Sequence, residues 1–155
     1  MDTYTLVKTI HILSATILFG TGIGTAFFFW SARHGDDAAR LYAARTTVRA
    51  DFLFTLPAVI IQPASGAWMI ARAGYDPGAL WLSATVLLYL LVGACWIPVV
   101  WIQARMAQML GEKVAGGAFD AARYERLRRI WFALGWPAFA AMIAIFALMV
   151  AKPAG

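Results

Sequence analysis

Charge is the scarcest property of this sequence. Only 14% of its residues are charged, whereas 62% are hydrophobic. Roughly a quarter of the residues in an ordinary soluble domain are charged, so this much apolar surface has to face something other than water. The single cysteine, Cys95, lies inside an apolar run. It excludes an intrachain disulfide and leaves too few thiolates for a cysteine-based metal site.

Carboxylates are absent from the interior of the apolar runs, since all eight acidic residues fall between the runs or at their edges. This absence argues against a proton pump driven by paired carboxylates. The sequence also has no repeated pair of broken hydrophobic segments of the kind found in transporters. A channel formed by an oligomer would need a polar lining, and Gln62, Ser65 and Gln103 are too few to supply one.

Four apolar runs are long enough to cross a bilayer. A span needs about 20 mostly apolar residues, and in hydrocarbon such a segment satisfies its backbone as a helix. The first run has no basic leader and is too long for a signal peptide, so we expect it to remain as a span. The sequence therefore predicts one all-α, four-helix transmembrane domain over residues 1–155, with spans at about 4–30, 52–71, 80–102 and 130–151.

Basic residues cluster in two of the connections between spans. The connections between spans one and two and between spans three and four hold ten of the 13 Lys and Arg residues. Basic loops stay in the cytoplasm, so we expect a multi-pass protein of the inner cell membrane with both termini on the non-cytoplasmic side. Topology also explains the net charge of +5, and no nucleic-acid partner is expected. The ten residues are Arg33, Arg40, Arg45, Arg49, Arg105, Lys113, Arg123, Arg126, Arg128 and Arg129.

The two basic connections are predicted to be partly helical. Asp36 or Asp37 is expected to cap a short helix over Ala38–Arg49, and Asp120 to begin a helix that runs into span four. Between spans two and three, Ala73–Ala79 contains Gly and Pro and is predicted to be a tight turn on the other side of the membrane.

Several residues at span edges have ordinary structural interpretations. Asp51 stands where span two begins, and we expect it to cap that helix or to pair with Arg49 or Arg45. Aromatic residues near span ends are typical interfacial anchors. Those in such positions are Tyr4, Trp81, Trp101 and Trp131.

Glycine is concentrated in the first span, at Gly20, Gly22 and Gly24. Small residues let helices approach closely in lipid, where packing rather than hydrophobicity drives association. We therefore expect this segment to pack helices together, within one chain or between copies in a homo-oligomer.

Of the side chains inside the predicted spans, His11 is the one best suited to bind a metal or a cofactor. A neutral imidazole within a helical bundle is a common haem or metal ligand, although a hydrogen bond to a neighbouring helix would also account for it. The only other histidine, His34, lies 23 positions further along, or about 35 Å along a helix, so the two cannot share one haem within a chain. Met69 and Met142 are alternative sixth ligands, but methionine in an apolar helix is usually packing.

Most of the chain resembles the HemJ-type membrane protoporphyrinogen oxidases and, more closely, a related family of predicted integral membrane proteins of unknown function. The similarity is carried by LVKTIHILSA and FFFWSARHG in the first span, RADFLFTLPAVIIQPASGAWM in the second, and RRIWFALGWPAF with the closing MVAKP in the fourth. Matching positions include Lys8, His11, His34, Pro57, Ala58, Gly66, Arg129, Pro137, Lys152 and Pro153. HemJ proteins are four-helix oligomers that bind b-type haem, so the resemblance implies His11 as an axial haem ligand.

The chain departs from the HemJ pattern in its third and fourth spans. Ser83 and Thr85 replace a histidine and a lysine, Cys95 and Trp96 replace a Tyr–His pair, and Trp136 replaces an acidic residue. The resemblance therefore implies the fold and a haem site more than the oxidase chemistry.

Two functional hypotheses follow. In the first, the chain is a b-type haem-binding redox protein or oxidase accessory, with His11 on the iron and with Trp96, Phe19 and Gly20 lining the pocket. In the second, it is a non-enzymatic oligomeric scaffold or a subunit of a larger membrane complex, assembled through its glycines and aromatic faces.

Overall fold

The computed structural model describes residues 2–152, and Pro153, one of the residues that carry the HemJ resemblance, lies outside this range. Within it the chain is helical and forms no strand. Four helical segments are long and apolar enough to cross a membrane, which confirms the predicted all-α, four-span class. The helices are α1 (Thr3–Ser31), α2 (Asp37–Ala50), α3 (Leu56–Ala73), α4 (Leu80–Val114) and α5 (Ala121–Ala151).

Aspartates begin three of these helices. The carboxylates of Asp2, Asp36 and Asp120 each accept a hydrogen bond from the backbone N–H three residues further on, at 2.7, 2.7 and 2.9 Å. Such caps satisfy backbone donors that have no partner inside the helix. The predicted cap of α2 is therefore Asp36, and the prediction that Asp120 starts a helix running into span four is confirmed.

Helix α2 continues into α3 through a widened turn, Asp51–Thr55, with the hydrogen-bond spacing of a π-helix. The Leu56 N–H donates to the Asp51 carbonyl five residues back. Pro57 follows directly, and a proline ring crowds the carbonyl four residues before it and donates no hydrogen bond to it. The wider turn relieves that crowding, so α2 and α3 form one helical segment, Asp37–Ala73.

The connection between α3 and α4 is the predicted tight turn. Helix α3 ends at Gly74, whose φ of 67° lies in the left-handed region that glycine adopts without strain. The Asp76 side chain then accepts from the Gly78 N–H at 2.9 Å. Tyr75 accepts a hydrogen bond from Lys152 Nζ at 2.7 Å, so this turn lies beside the end of α5.

The two ends of the molecule differ in charge and in packing. We call residues 32–50 and 103–129, which include the ten clustered basic residues, the basic end. Helix α4 has 35 residues, or about 52 Å, so it projects well past a hydrocarbon layer of about 30 Å. The projecting part packs against α2 and the start of α5. This buried core comprises Phe29, Leu41, Ala44, Ile102, Met106, Ala107, Met109, Leu110, Tyr124 and Trp131.

Towards the opposite end the bundle is held by fewer buried side chains. Helix α1 packs along α3 and α4 packs along α5. Between these pairs, the Phe19 ring of α1 meets the rings of Phe139 and Phe146 edge-on, and the Tyr89 hydroxyl of α4 donates to the Val59 carbonyl of α3. Large apolar side chains cover the outer faces, as contact with lipid requires; examples are Leu13, Phe27, Leu53, Leu87 and Val150.

The predicted aromatic anchors separate into two groups. Trp101 is 61% exposed, as an interfacial anchor would be. Trp81 and Trp131 are buried instead. The Trp131 ring lies 5.0 Å from that of Phe29, and the Trp81 ring lies 5.7 Å from that of Tyr75. Trp131 therefore packs α5 against α1, and Trp81 packs α4 against the turn that precedes it.

The position of the basic end predicts the orientation of the protein in the membrane. We expect that a cysteine at Ala118, in a Cys95→Ala background, is protected from a membrane-impermeant maleimide in right-side-out vesicles. A cysteine at Thr3, at the other end, is expected to react, because basic segments stay in the cytoplasm. The Cys95→Ala parent is the control for background labelling. Labelling of Ala118→Cys with protection of Thr3→Cys would show the reverse orientation.

Candidate functional site

His11 belongs to α1, and its side chain faces α3 and the interior of the bundle. It shares its face of α1 with the buried Ser14 and Leu18. Its Nδ1 is 2.8 Å from the hydroxyl of the buried Ser65 on α3. His11 is therefore hydrogen-bonded to a neighbouring helix, which is one of the two interpretations that its position in the sequence allowed.

The Ser65 hydroxyl and the Gln62 backbone are hydrogen-bond partners of the His11 ring. Ser65 Oγ lies 2.6 Å from the Ile61 carbonyl and 3.2 Å from the Gln62 carbonyl, so its proton is donated to the backbone of its own helix. The oxygen can then accept a hydrogen bond only from a protonated Nδ1. In this tautomer Nε2 keeps its lone pair.

The imidazole packs against α3 at Gly66. A Cβ added to Gly66 would lie 3.4 Å from His11 Cε1 and 4.0 Å from Nδ1. One turn earlier, Gln62 Oε1 is buried and has no hydrogen-bond partner in the part of the chain that the structure describes. The neighbourhood of His11 thus combines an imidazole lone pair with an unsatisfied amide oxygen in a largely apolar region.

The other residues predicted to share a pocket with His11 lie elsewhere. Gly20 is nine residues further along α1, which places it about 180° around the helix; it is exposed, with open space beyond it. Trp96 faces Asp51, which directly follows the α2 part of the basic end. Met142 packs against Leu18 and Ala58, about two turns from the level of His11. The structure therefore brings neither Gly20 nor Trp96 to His11, and places Met142 about 10 Å away along the bundle.

His34 stands apart from His11, as the sequence predicted. It ends the short turn that follows α1, and its Nε2 accepts a hydrogen bond from Arg33 Nε at 2.9 Å. Within residues 2–152 no group of three or more His, Cys, Asp and Glu side chains could hold a metal ion. His11 is therefore not part of such a group.

A shallow cleft opens beyond His11 towards the end opposite the basic one. It is lined by Thr3, Tyr4, Trp68, Arg72 and Ala73. The Tyr4 and Trp68 rings lie 6.3 Å apart, and the Arg72 guanidinium lies over Trp68 at 5.5 Å. Because Trp68 and Arg72 continue the face of α3 that carries Ser65, this cleft places a cation about two turns from His11.

Asp51 forms a second polar centre, and its position corrects the sequence-based expectation. It lies inside the continuous α2–α3 segment and is 5% exposed, so it neither caps a helix nor forms an ion pair with any basic residue in the described part of the chain. Its Oδ1 accepts from the Thr55 hydroxyl at 3.0 Å. In the amide orientation that satisfies both neighbours, Gln103 donates to Asp51 Oδ2 at 2.6 Å and accepts from Trp131 Nε1 at 3.0 Å.

This Asp51–Gln103–Trp131 chain links three helical segments, and the contact of Trp131 with Phe29 extends it to α1. The Trp96 indole N–H also faces the Asp51 carboxylate, but without good hydrogen-bond geometry.

One clue in the sequence could have revealed the buried face of the helix that carries Asp51. Thr47, Asp51 and Thr55 are spaced four apart, which puts all three on one side of a helix.

The Asp51 network should stabilise the fold measurably. We expect Gln103→Leu to lower the free energy of unfolding by about 1–3 kcal/mol, because it removes the hydrogen-bond partner of Asp51 Oδ2 and of the buried Trp131 indole N–H. Denaturation in mixed micelles measures this free energy of unfolding. Gln108→Leu, an exposed change on the same helix, is the matched control and should cost about 0.5 kcal/mol or less.

A double variant separates the network from general packing effects. If Gln103 and Asp51 act together, Asp51→Leu combined with Gln103→Leu should cost less than the sum of the single changes. Strict additivity of the two costs would show that the pair does not interact.

Comparison with known proteins identifies the family. No curated protein and no solved structure matches the chain. Residues 5–153 match the model of a family described as predicted integral membrane protein (DUF2269). That match covers nearly the whole sequence and agrees with four helices long enough to cross a membrane. The chain belongs to this family of predicted integral membrane proteins.

Proposed function

We propose that the chain is a b-type haem-binding membrane protein that uses His11 as an axial ligand and serves as a redox protein or as an accessory to an oxidase. The observation that carries the proposal is the hydrogen bond between His11 Nδ1 and Ser65 Oγ. Histidines that bind metals characteristically donate their second ring N–H to a neighbouring oxygen, which fixes the tautomer and orients the ring. Ser65 supplies that oxygen, and Nε2 remains available for the iron.

The surroundings of His11 fit a haem in three further respects. The apolar bundle interior suits a macrocycle, and the lone imidazole fits a cofactor whose ring already fills four coordination positions of its metal. Arg72 and Lys8 both lie beyond His11 towards the end opposite the basic end, and they provide positive charge for propionates. When bound, haem supplies reversible one-electron chemistry. The similarity of the first span to HemJ proteins supports the same ligand.

The residues of this chain supply one histidine ligand. His34 is at the other end of α1, and Met142 is engaged in packing with Leu18 and Ala58. A haem on His11 is therefore five-coordinate, or takes its sixth ligand from Met69 or from outside the chain. The role of the protein residues in this site is to hold the imidazole, exclude water and compensate charge.

A second candidate function is that of an oligomeric scaffold or subunit without catalytic activity. A Cβ added to Gly22 would lie 3.8 Å from the Phe139 ring, so this glycine packs inside the bundle. Gly20 and Gly24 point outwards and have nothing within 4 Å of their ideal Cβ positions. Two exposed glycines four residues apart on a lipid-facing helix form the small-xxx-small pattern that lets two helices touch closely.

The haem proposal predicts a visible spectrum that depends on one histidine. We expect the protein, purified after expression with ample haem, to show a Soret band that shifts on reduction. His11→Ala should lose the band, whereas His34→Ala, which removes the other histidine, should keep it. Ser65→Ala should weaken haem binding about tenfold or more, because the imidazole loses the partner that orients it.

Two results would contradict the haem proposal. One is a wild-type protein that stays colourless in the presence of added haem. The other is a Soret band that survives in His11→Ala with unchanged position and intensity. Circular dichroism of each variant checks that the helices remain folded.

The scaffold proposal predicts self-association through the outer face of α1. We expect Gly20→Leu and Gly24→Leu to convert an oligomer in mild detergent into a monomer, measured by light scattering after size-exclusion chromatography. Ala140→Leu places the same bulk on an exposed position of α5 and should leave the oligomer intact. A wild-type protein that is monomeric in detergent and in nanodiscs would refute the proposal.

A further inference from the structure

We propose that the basic end carries a specific binding site for the phosphate of an anionic phospholipid, in a cleft that opens where α1 ends. Three arginines line the cleft together with aromatic side chains. They come from separate segments of the fold: Arg33 follows α1, Arg40 belongs to α2 and Arg128 to α5. The site depends on neither the haem nor the scaffold proposal.

The charges around the cleft are not balanced. Asp37 accepts from both Arg40 and Lys113, at 3.3 and 2.8 Å. Glu125 accepts from both Arg128 and Arg129, at 2.7 and 3.1 Å. Two carboxylates thus compensate four cations in and beside the cleft, so a surplus of positive charge remains.

Both carboxylates are ionised at neutral pH. The hydrogen bond from Lys113, with a smaller contribution from Arg40, lowers the pKa of Asp37. Arg128, aided by Arg129, lowers the pKa of Glu125 to about 2. At physiological pH the two carboxylates therefore hold Arg40 and Arg128 in place. Each carboxylate is already paired with two cations.

Arg33 adds a further cation that has no carboxylate partner within residues 2–152. Its guanidinium lies 3.7 Å from the centre of the Trp30 ring and donates to His34 Nε2. Stacking on an aromatic ring orients the planar guanidinium and leaves other N–H groups free. Such a fork binds phosphate through two parallel hydrogen bonds.

The immediate surroundings indicate a lipid rather than a soluble anion. The cleft begins at Trp30, at the end of a span whose outer face carries the exposed side chains of Phe27 and Phe28. A phosphate held by Arg33 would leave its acyl chains along that apolar face of α1. Anionic lipids are enriched in the cytoplasmic leaflet, where the basic end is expected to lie.

The test compares lipids and matched variants by native mass spectrometry of the purified full-length protein in detergent. We expect the wild type to bind phosphatidylglycerol more tightly than phosphatidylcholine. Arg33→Gln should weaken phosphatidylglycerol binding about tenfold, because hydrogen bonds to charged groups are the strong ones. Arg126→Gln removes the same charge from an exposed position outside the cleft and should change the affinity by less than about twofold.

Each alternative outcome has a definite meaning. Equal weakening by Arg33→Gln and Arg126→Gln would overturn the proposal, because general surface charge would then explain the binding. Equal affinity for the two lipids would also overturn it. Inorganic phosphate alone, if it displaced the lipid at micromolar concentration, would show that the cleft binds a soluble phosphate instead. Circular dichroism and thermal unfolding of Arg33→Gln verify that the variant is folded.

Discussion

The hydrogen-bonded chain from Asp51 through Gln103 to Trp131 is the interaction on which the arrangement of the helices most depends. Within lipid, helices gain little by burying apolar surface against one another, so packing and polar contacts decide which helices are neighbours. A buried carboxylate is costly unless hydrogen bonds compensate it, and here Thr55 of the same segment and Gln103 of α4 supply them. Gln103 brings α4 beside the widened turn before α3, its bond to Trp131 adds α5, and the contact of Trp131 with Phe29 includes α1.

This constraint divides the molecule into two parts with different properties. At the basic end, α2 and the projecting parts of α4 and α5 form a densely buried core, and ion pairs such as Lys113–Asp37 hold that core together at its surface. Towards the other end, the pairs α1–α3 and α4–α5 meet mainly through aromatic rings and single hydrogen bonds. His11 lies in this less densely packed part.

The sequence predicts the elements of this fold better than their contacts. Span number follows from hydropathy, and the caps at Asp36 and Asp120 follow from local chemistry, so both were predictable. The role of Asp51 was not, because its partners are distant in sequence and the nearby arginines suggested an ion pair. The separation of Gly20 from His11 follows from helical periodicity, whereas the hydrogen bond of His11 to Ser65 depends on how α1 and α3 are aligned.

The geometry of α1 also limits how haem binding and self-association can be combined. His11 and Gly20 lie about 180° apart around the helix, so an interface built on Gly20 and Gly24 faces away from the imidazole. Two copies joined through these glycines would each hold His11 on the far side of the contact and could not place both histidines on one haem. A bis-histidine site would need a different interface, one that opens the α1–α3 pair. If the chain associates through its glycines, a haem bound at His11 would therefore have a single histidine ligand.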